Sequence, residues 1–263
     1  MLVFTALTPH TPLLIPSIGK ENLKKLQKTS DSMQQLADDL YAARPDTIVV
    51  ISGHSHSYSD AFAINFNDPY KIDLTKLGDL DATCDYHPDL RLIDKMQRQL
   101  RLDEIPFTLH PEDALDYGSA VPLLLLAEKL KNIKIVPVSV SNLTPKEHFN
   151  FGKALKEQIV NTTRRVAVIA TGDLSHTLTT ESPAGFHKSG PKFDKKIQEL
   201  IAESNAAGLI KMKPDIVKEA KQCGYRALLI LFGILDKQNI KTNILSYEAP
   251  LGVGYLTANF ELA

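Results

Sequence analysis

Between Asp46 and Ser57 the chain reads DTIVVISGHSHS, five β-branched residues in a row that break off into a small-residue loop carrying His54 and His56. Such a run has almost no polar face to turn to water, so it suits a strand covered on both sides, the buried strand of a parallel sheet. In open α/β sheets ligands collect outside the carboxyl ends of the strands, which is where this loop would lie. Two further runs end in the same way: residues 2–7 lead into Thr8-Pro9-His10, and residues 165–170 into Thr171-Gly172-Asp173-Leu174-Ser175-His176. Three buried runs that terminate in histidine make one end of a sheet the place to look for chemistry.

The rest of the chain supplies the covering layers. Prolines at 9, 12 and 16 stiffen the loop that carries His10 and keep a helix out of it. Residues 19–43 have a helical period, with Leu23, Leu26, Met33, Leu36, Leu40 and Tyr41 on one stripe, and Arg44-Pro45 stops it. Strand, helix, strand implies a parallel pair with a right-handed crossover. Residues 61–66 read as a strand, 67–84 as a polar excursion without assigned elements, 88–100 as an amphipathic helix and 107–109 as a short strand. A helix over 118–130, a strand over 133–140, a helix over 145–161 and the strand at 165–170 follow. Residues 191–207 and 215–235 are helical in pattern, the second interrupted near Cys223-Gly224, and strands at 242–247 and 253–260 close the chain. This alternation predicts the α/β class, a three-layer sandwich around a largely parallel central sheet. No fixed-period repeat, low-complexity tract or linker interrupts it, so the expectation is a single domain over residues 1–263.

Composition narrows the partners. Thirty Lys and Arg stand against 31 Asp and Glu, so no basic face is advertised for nucleic acid or for an anionic membrane surface. Two cysteines, Cys84 and Cys223, are too few for a disulfide framework, and no signal-like segment precedes the first strand, which makes a cytoplasmic location the expectation. The longest apolar run, residues 121–127, falls far short of the roughly 20 residues that span a bilayer.

Of the eight histidines, His87, His110, His148 and His187 sit beside charged residues or proline and read as solvated surface groups. His10, His54 and His176 each close a buried strand. Hydrogen-bonded loop imidazoles would be the plain reading of any one of them, and their recurrence at three strand ends favours a shared site. Neutral imidazole is the commonest transition-metal ligand and the side chain best suited to move a proton near neutral pH. Two imidazoles on neighbouring strand ends plus one anionic ligand would make an open site of the kind that holds Fe(II), with the third imidazole left for acid–base work. The anionic ligand would come from Glu219-Ala220-Lys221-Gln222-Cys223-Gly224. There Cys223 as thiolate would favour copper or zinc, and Glu219 would favour iron or manganese. Against these stand a small core residue for Cys223 and a solvated helix face for Glu219. His56, two residues past His54, either shares its cleft or faces water. Ser175-His176 lacks the Gly-x-Ser-x-Gly elbow of a serine hydrolase, and no phosphate-binding loop or dinucleotide fingerprint occurs.

These segments resemble a known family, the class III extradiol ring-cleavage dioxygenases of the protocatechuate 4,5-dioxygenase beta-subunit type, together with their Memo-like relatives. Thr8-Pro9-His10-Thr11-Pro12 and Val49-Val50-Ile51-Ser52-Gly53-His54 are similar to the family's two metal-histidine segments. Gly172-Asp173-Leu174-Ser175-His176 is similar to the segment of its acid–base histidine. Asp116-Tyr117-Gly118-Ser119-Ala120-Val121-Pro122-Leu123 resembles a segment that usually has His where this chain has Tyr117. The stretch from Tyr247 to Leu256 looks like the ending of the branch whose members are often linked to an AMMECR1-like domain. The resemblance implies a single LigB-like domain with His10, His54 and Cys223 as metal ligands and His176 as catalytic base. Tyr117 and Asp173, with His56 if its loop stays extended into the cleft, are expected at the substrate or supporting the ligands. The resemblance further implies an Fe(II)-dependent dioxygenase-like oxidoreductase acting on a small, catechol-like aromatic substrate, in a homo-oligomer, with Zn or Cu as alternative metals. The Cys-Gly segment, where the dioxygenases place a Glu, looks more like Memo, and the alternative it implies is a metal-binding or redox protein acting with an AMMECR1-like partner.

Overall fold

Strands with apolar side chains on both faces need helices on each side, and the computed structural model of the protein, which describes residues 1–79 and 83–262, supplies both. The chain opens with β1 (Leu2–Thr8), a 3-10 turn at Pro12–Leu14, one helical turn α1 (Pro16–Gly19) and a second 3-10 stretch at Lys20–Leu26. Only then does α2 (Gln27–Ala43) begin. The helix expected over 19–43 is therefore shorter: Lys20 takes a φ of 48°, which breaks the regular hydrogen-bond ladder ahead of it. Arg44 ends α2 in the left-handed conformation, as the Arg-Pro pair suggested.

Next come β2 (Thr47–Ser52), β3 (Phe62–Asn65), β4 (Tyr70–Asp73) and β5 (Thr83–Pro88). The excursion at 67–84 thus holds β4 and the start of β5, and residues 80–82 of it lie outside the described residues. Then α3 (Leu90–Leu102), β6 (Phe107–His110), α4 (Tyr117–Leu126), β7 (Lys134–Ser139), α5 (Pro145–Val160) and β8 (Val166–Thr171) follow. Side-chain caps set several of the helix starts. Asp89 accepts the Leu92 N–H, and Thr144 forms a capping box with Glu147. The helical stretch at 191–207 divides into α6 (Ser189–Ala202) and α7 (Ala206–Ile210), where Ser204 adopts a φ of 51°. The stretch at 215–235 divides into α8 (Pro214–Glu219) and α9 (Tyr225–Ile234) around Lys221, whose φ is 53°. The chain closes on β9 (Ile240–Glu248) and β10 (Tyr255–Leu262).

The strands join one sheet in the order β4-β5-β7-β2-β8-β1-β10-β9, with β3 on β7 and β6 on β3. The middle, β5-β7-β2-β8-β1, is parallel, and antiparallel strands flank it on both sides. Successive side chains of β2 point to opposite faces. Ile48 and Val50 pack with α2 and α4, while Val49 and Ile51 pack with α3, α5, α6 and α9. This is the expected α/β sandwich with a mostly parallel sheet. The neighbours β2, β8 and β1 carry the three histidine-bearing loops, so their carboxyl ends lie side by side.

Of the four histidines expected to be solvated, His110 and His187 are half-buried and His148 departs furthest. His148 is not a solvated group but is buried on α5, on the same face as Phe151 and Leu155. Its Nδ1 donates to the Thr144 carbonyl (2.9 Å), its Nε2 accepts the Ser141 N–H (3.3 Å), and burial pushes its pKa down to about 4. His87 is exposed as expected and pairs with Asp68 (2.6 Å). Among the described residues no helix is long and apolar enough to cross a membrane.

Candidate metal centre

The site is built from three strand ends and one helix junction. His10 follows β1 by two residues and is 1% exposed. Its backbone N–H donates to Asp173 Oδ1 (3.1 Å), its Nδ1 lies 3.3 Å from Thr171 Oγ1, and its Nε2 lies 3.2 Å from Cys223 Sγ. Burial, with the neighbouring His54 and His176, pushes the His10 pKa well below its ordinary value, so the ring is neutral near pH 7.

His54 stands at the mouth, in the loop after β2, with its ring centroid 4.7 Å from that of His10. The loop is tied down by one carboxylate. Asp116 accepts the hydroxyls of Ser52 (2.6 Å) and Ser55 (3.0 Å), and it also caps α4 through the Ser119 N–H (3.1 Å) and Oγ (2.8 Å). Ser52 Oγ in turn accepts the His54 N–H (3.1 Å). The next residue, Tyr117, sets its hydroxyl 2.9 Å from His54 Nε2 and 3.2 Å from Nδ1. Burial lowers the His54 pKa as well.

Cys223 arrives from the α8–α9 junction. That junction presses against the end of β8 so closely that a Cβ on Gly172 would stand 2.0 Å from Gly224 Cα, which only glycine at 172 permits. The Cys223 and Gly224 N–H groups donate to the Asp173 carbonyl (3.3 and 3.1 Å), and the Asp173 N–H points at Cys223 Sγ (3.3 Å). Burial, reinforced by the Asp173 carboxylate, pushes the thiol pKa up. Burial also lifts the Asp173 carboxyl to about 7, against the His10 N–H that favours its anion. His176 is half-buried. Its Nδ1 faces the Leu174 carbonyl at 3.0 Å, an acceptor only, so Nδ1 carries the proton and Nε2 is the basic nitrogen of the neutral ring, while a further hydrogen bond with the Lys221 backbone favours the protonated form. Burial first, then the proximity of His54, lowers its pKa.

Ligand atoms of His10, His54 and Cys223 all lie within 4.8 Å of one another, and so do those of Asp173, His176 and Cys223. Cys223 is common to both groups. The structure therefore brings six of the expected residues, His10, His54, Tyr117, Asp173, His176 and Cys223, to one place. Glu219 joins neither group among the described residues; its backbone carbonyl accepts the Thr177 hydroxyl (3.3 Å). His56 turns away, stacked on His110 (4.7 Å, 17°) and edge-on to Tyr58 (4.6 Å). Asp116 and Thr171 support the site without having been singled out in the sequence. For Asp116 a signal existed, an acidic residue just ahead of a helix with Ser three positions on, the pattern of an N-cap.

The sheet and these side chains define an α/β protein with a His/Cys/Asp cluster that could hold a metal at the carboxyl ends of its parallel strands. Residues 4–258 match the catalytic LigB subunit of aromatic ring-opening dioxygenase, and the chain belongs to that family. It is 29% identical to Protein CA_C1420 of Clostridium acetobutylicum over 95% of this chain, and it spans 55% of that protein's length. It is 21% identical to the 2-aminophenol 1,6-dioxygenase beta subunit of a Pseudomonas species, over 97% of this chain and 92% of that one. A solved structure of an uncharacterized protein of Escherichia coli shares the fold with a TM-score of 0.70 at 18% identity, covering 98% of this chain and 99% of the other.

Proposed function

We propose that this chain is a metal-dependent, ring-opening oxidoreductase in which His10, His54 and Cys223 hold Fe(II), a catechol-like aromatic is the substrate, and His176 is the acid–base group. The observation that carries this reading is the convergence of three ligand atoms within 4.8 Å at neighbouring strand ends in a chain of the LigB family. The donor set fits a divalent transition metal. Burial keeps both imidazoles in the neutral form that ligates, and the thiol that burial holds protonated would release its proton to solvent on binding the cation. When bound, the metal supplies the Lewis-acid and redox chemistry through which a dihydroxy aromatic meets oxygen, both atoms of which enter the ring-opened product.

The chain's own residues manage position and protons. Thr171 holds the His10 ring and Asp173 its backbone N–H, and Asp116 fixes the loop of His54 through two serines. His176, protonated at Nδ1 by its bond to Leu174, offers Nε2 to take a proton from a substrate hydroxyl and return it as the ring opens. Tyr117, whose pKa burial raises, stays a neutral hydrogen-bond donor beside His54.

Elemental analysis of protein purified without added metal, followed by oxygen uptake after anaerobic loading with Fe(II), tests the reading. About one iron per chain and a yellow product from at least one of a panel of catechols are expected, with metal lost from His54→Ala and Cys223→Ala. Loaded protein that neither consumes oxygen nor colours any catechol would sink it. A second reading draws on the thiol in the ligand set and on the Clostridium relative, of whose length this chain spans 55%. It is a Memo-like metal-binding or redox protein acting with an AMMECR1-like partner. Copper or zinc in the isolated protein, inert catechol assays and a stable complex with such a partner would favour it.

A further inference from the structure

A cavity of about 640 Å³ opens beside Cys223 and Gly53, immediately next to the candidate metal centre. That volume suits a drug-sized ligand rather than a single ring, since pockets for such ligands run from about 300 to 1,000 Å³. Its walls are apolar, formed by Val140, Leu143, Met212, Pro214 and Val217. Its charges have one sign. Lys218, Lys221 and Arg226 line it and, among the described residues, no carboxylate does. In a chain with 30 basic and 31 acidic residues, three cations lining one cavity are a local arrangement and not an overflow of positive charge.

None of the three takes part in an ion pair among the described residues. Arg226 is half-buried, with Nη1 donating to Asn142 Oδ1 (2.7 Å), and burial pushes its pKa below the ordinary value. A partly desolvated guanidinium with no carboxylate gains most from an arriving anion, because a charge-assisted, forked pair replaces lost hydration.

We propose that this cavity receives the far end of the substrate, and that the substrate is an elongated aromatic carrying a carboxylate-class anion several atoms from its ring. The ring would lie toward Cys223 and the histidines, the apolar walls would cover the connecting chain, and Arg226, Lys218 and Lys221 would meet the anion. This assignment rests on the ring-opening reading for the position of the ring, while the charge preference of the cavity is readable by binding alone.

Calorimetric titration of the full chain with phenylbutyrate and with phenylbutanol tests it, with the metal-free protein carrying the comparison because a carboxylate can itself ligate a metal. The acid is expected to bind about tenfold more tightly than the alcohol, with the gap narrowing as salt is raised. Arg226→Gln and Lys221→Gln should each shrink the preference, and the pair together should remove it. If Arg226→Gln does not fold, Lys218→Gln with Lys221→Gln, both exposed, carries the same test. Equal binding of acid and alcohol, no binding of either, or a preference that survives the double substitution overturns the proposal. Oxygen uptake with catechols but no charge preference defeats it alone. A charge preference without oxygen uptake supports it while the ring-opening reading falls.

Discussion

Asp194 lies under the segment that presents His176, with Oδ1 accepting the Ser175 N–H (2.8 Å) and Oδ2 accepting the Tyr247 hydroxyl (2.7 Å). Burial raises its pKa from 3.8 to about 6, against the two hydrogen bonds. A carboxyl whose folded pKa is raised binds its proton more tightly in the native state, so this group's contribution to stability is highest at low pH and falls as pH climbs from about 4 to about 6. The two-unit difference corresponds to about 3 kcal/mol lost by neutral pH. An amide keeps an acceptor for Ser175 and turns a donor toward Tyr247. Asp194→Asn should therefore flatten the decline, with urea midpoints above wild type near pH 7 and level with it near pH 4; parallel profiles would refute this. Asp116 gives a second prediction. Asp116→Ala removes a helix cap and orphans three serine hydroxyls, an expected loss of about 1–3 kcal/mol by urea titration. The three strand-end histidines were legible because each ends a run that can only be buried. Cys223 stood open against Glu219, because no spacing tells which residue of a helix junction faces a strand end from far along the chain. His148 was misjudged from its polar neighbours, although its spacing to Phe151 and Leu155 marks the inward face of a helix.

Among the elements, α5 and α9 approach through bare backbone. A Cβ on Gly233 would meet the Phe149 carbonyl at 2.1 Å, and one on Gly152 would meet the Ile230 carbonyl at 2.1 Å. Neither contact is the flexible tip of a side chain, so the helices must move apart to admit a methyl group. Gly233→Ala is expected to lose about 1–3 kcal/mol, the range of an overpacked core, instead of gaining from improved helix propensity. A urea midpoint at or above wild type would show that the helices part freely. The same elements show what a sequence conceals. Buried parallel strands announce themselves as apolar runs, and β1, β2, β7 and β8 fall within a residue or so of where they were expected. The break between α6 and α7 at left-handed Ser204 went unread, whereas the break between α8 and α9, expected near Cys223-Gly224, was legible from Gly224 and turns on left-handed Lys221, a residue type with no turn signature. The break at Lys221 matters most for function, because it lets α8 stop and swings Cys223 against β8.

At the scale of the molecule, the order β2-β8-β1 brings together histidines from residues 10, 54 and 176, and that adjacency is a matter of pairing partners and not of local pattern. Strand pairings between distant segments leave only the crossover rule in the sequence, so the sheet was legible in kind and not in order. Its consequence for folding is testable. Each central strand contributes alternate side chains to both helical layers, as Ile48 and Val49 do, so neither layer keeps its floor if the other melts. The N-terminal amine adds a tie, donating to the carbonyls of Ile159, Thr162 and Arg164 and locking β1 to the turn before β8. Unfolding in urea should therefore be one transition, despite a length at which populated intermediates become common. The chain has eight tyrosines and no tryptophan, so tyrosine fluorescence samples several regions at once while far-UV circular dichroism follows helices and sheet. Coincident midpoints from the two signals are expected. Separated midpoints would mean that the flanking antiparallel strands or one helical layer can leave while the β2-β8-β1 centre and its histidines stay folded.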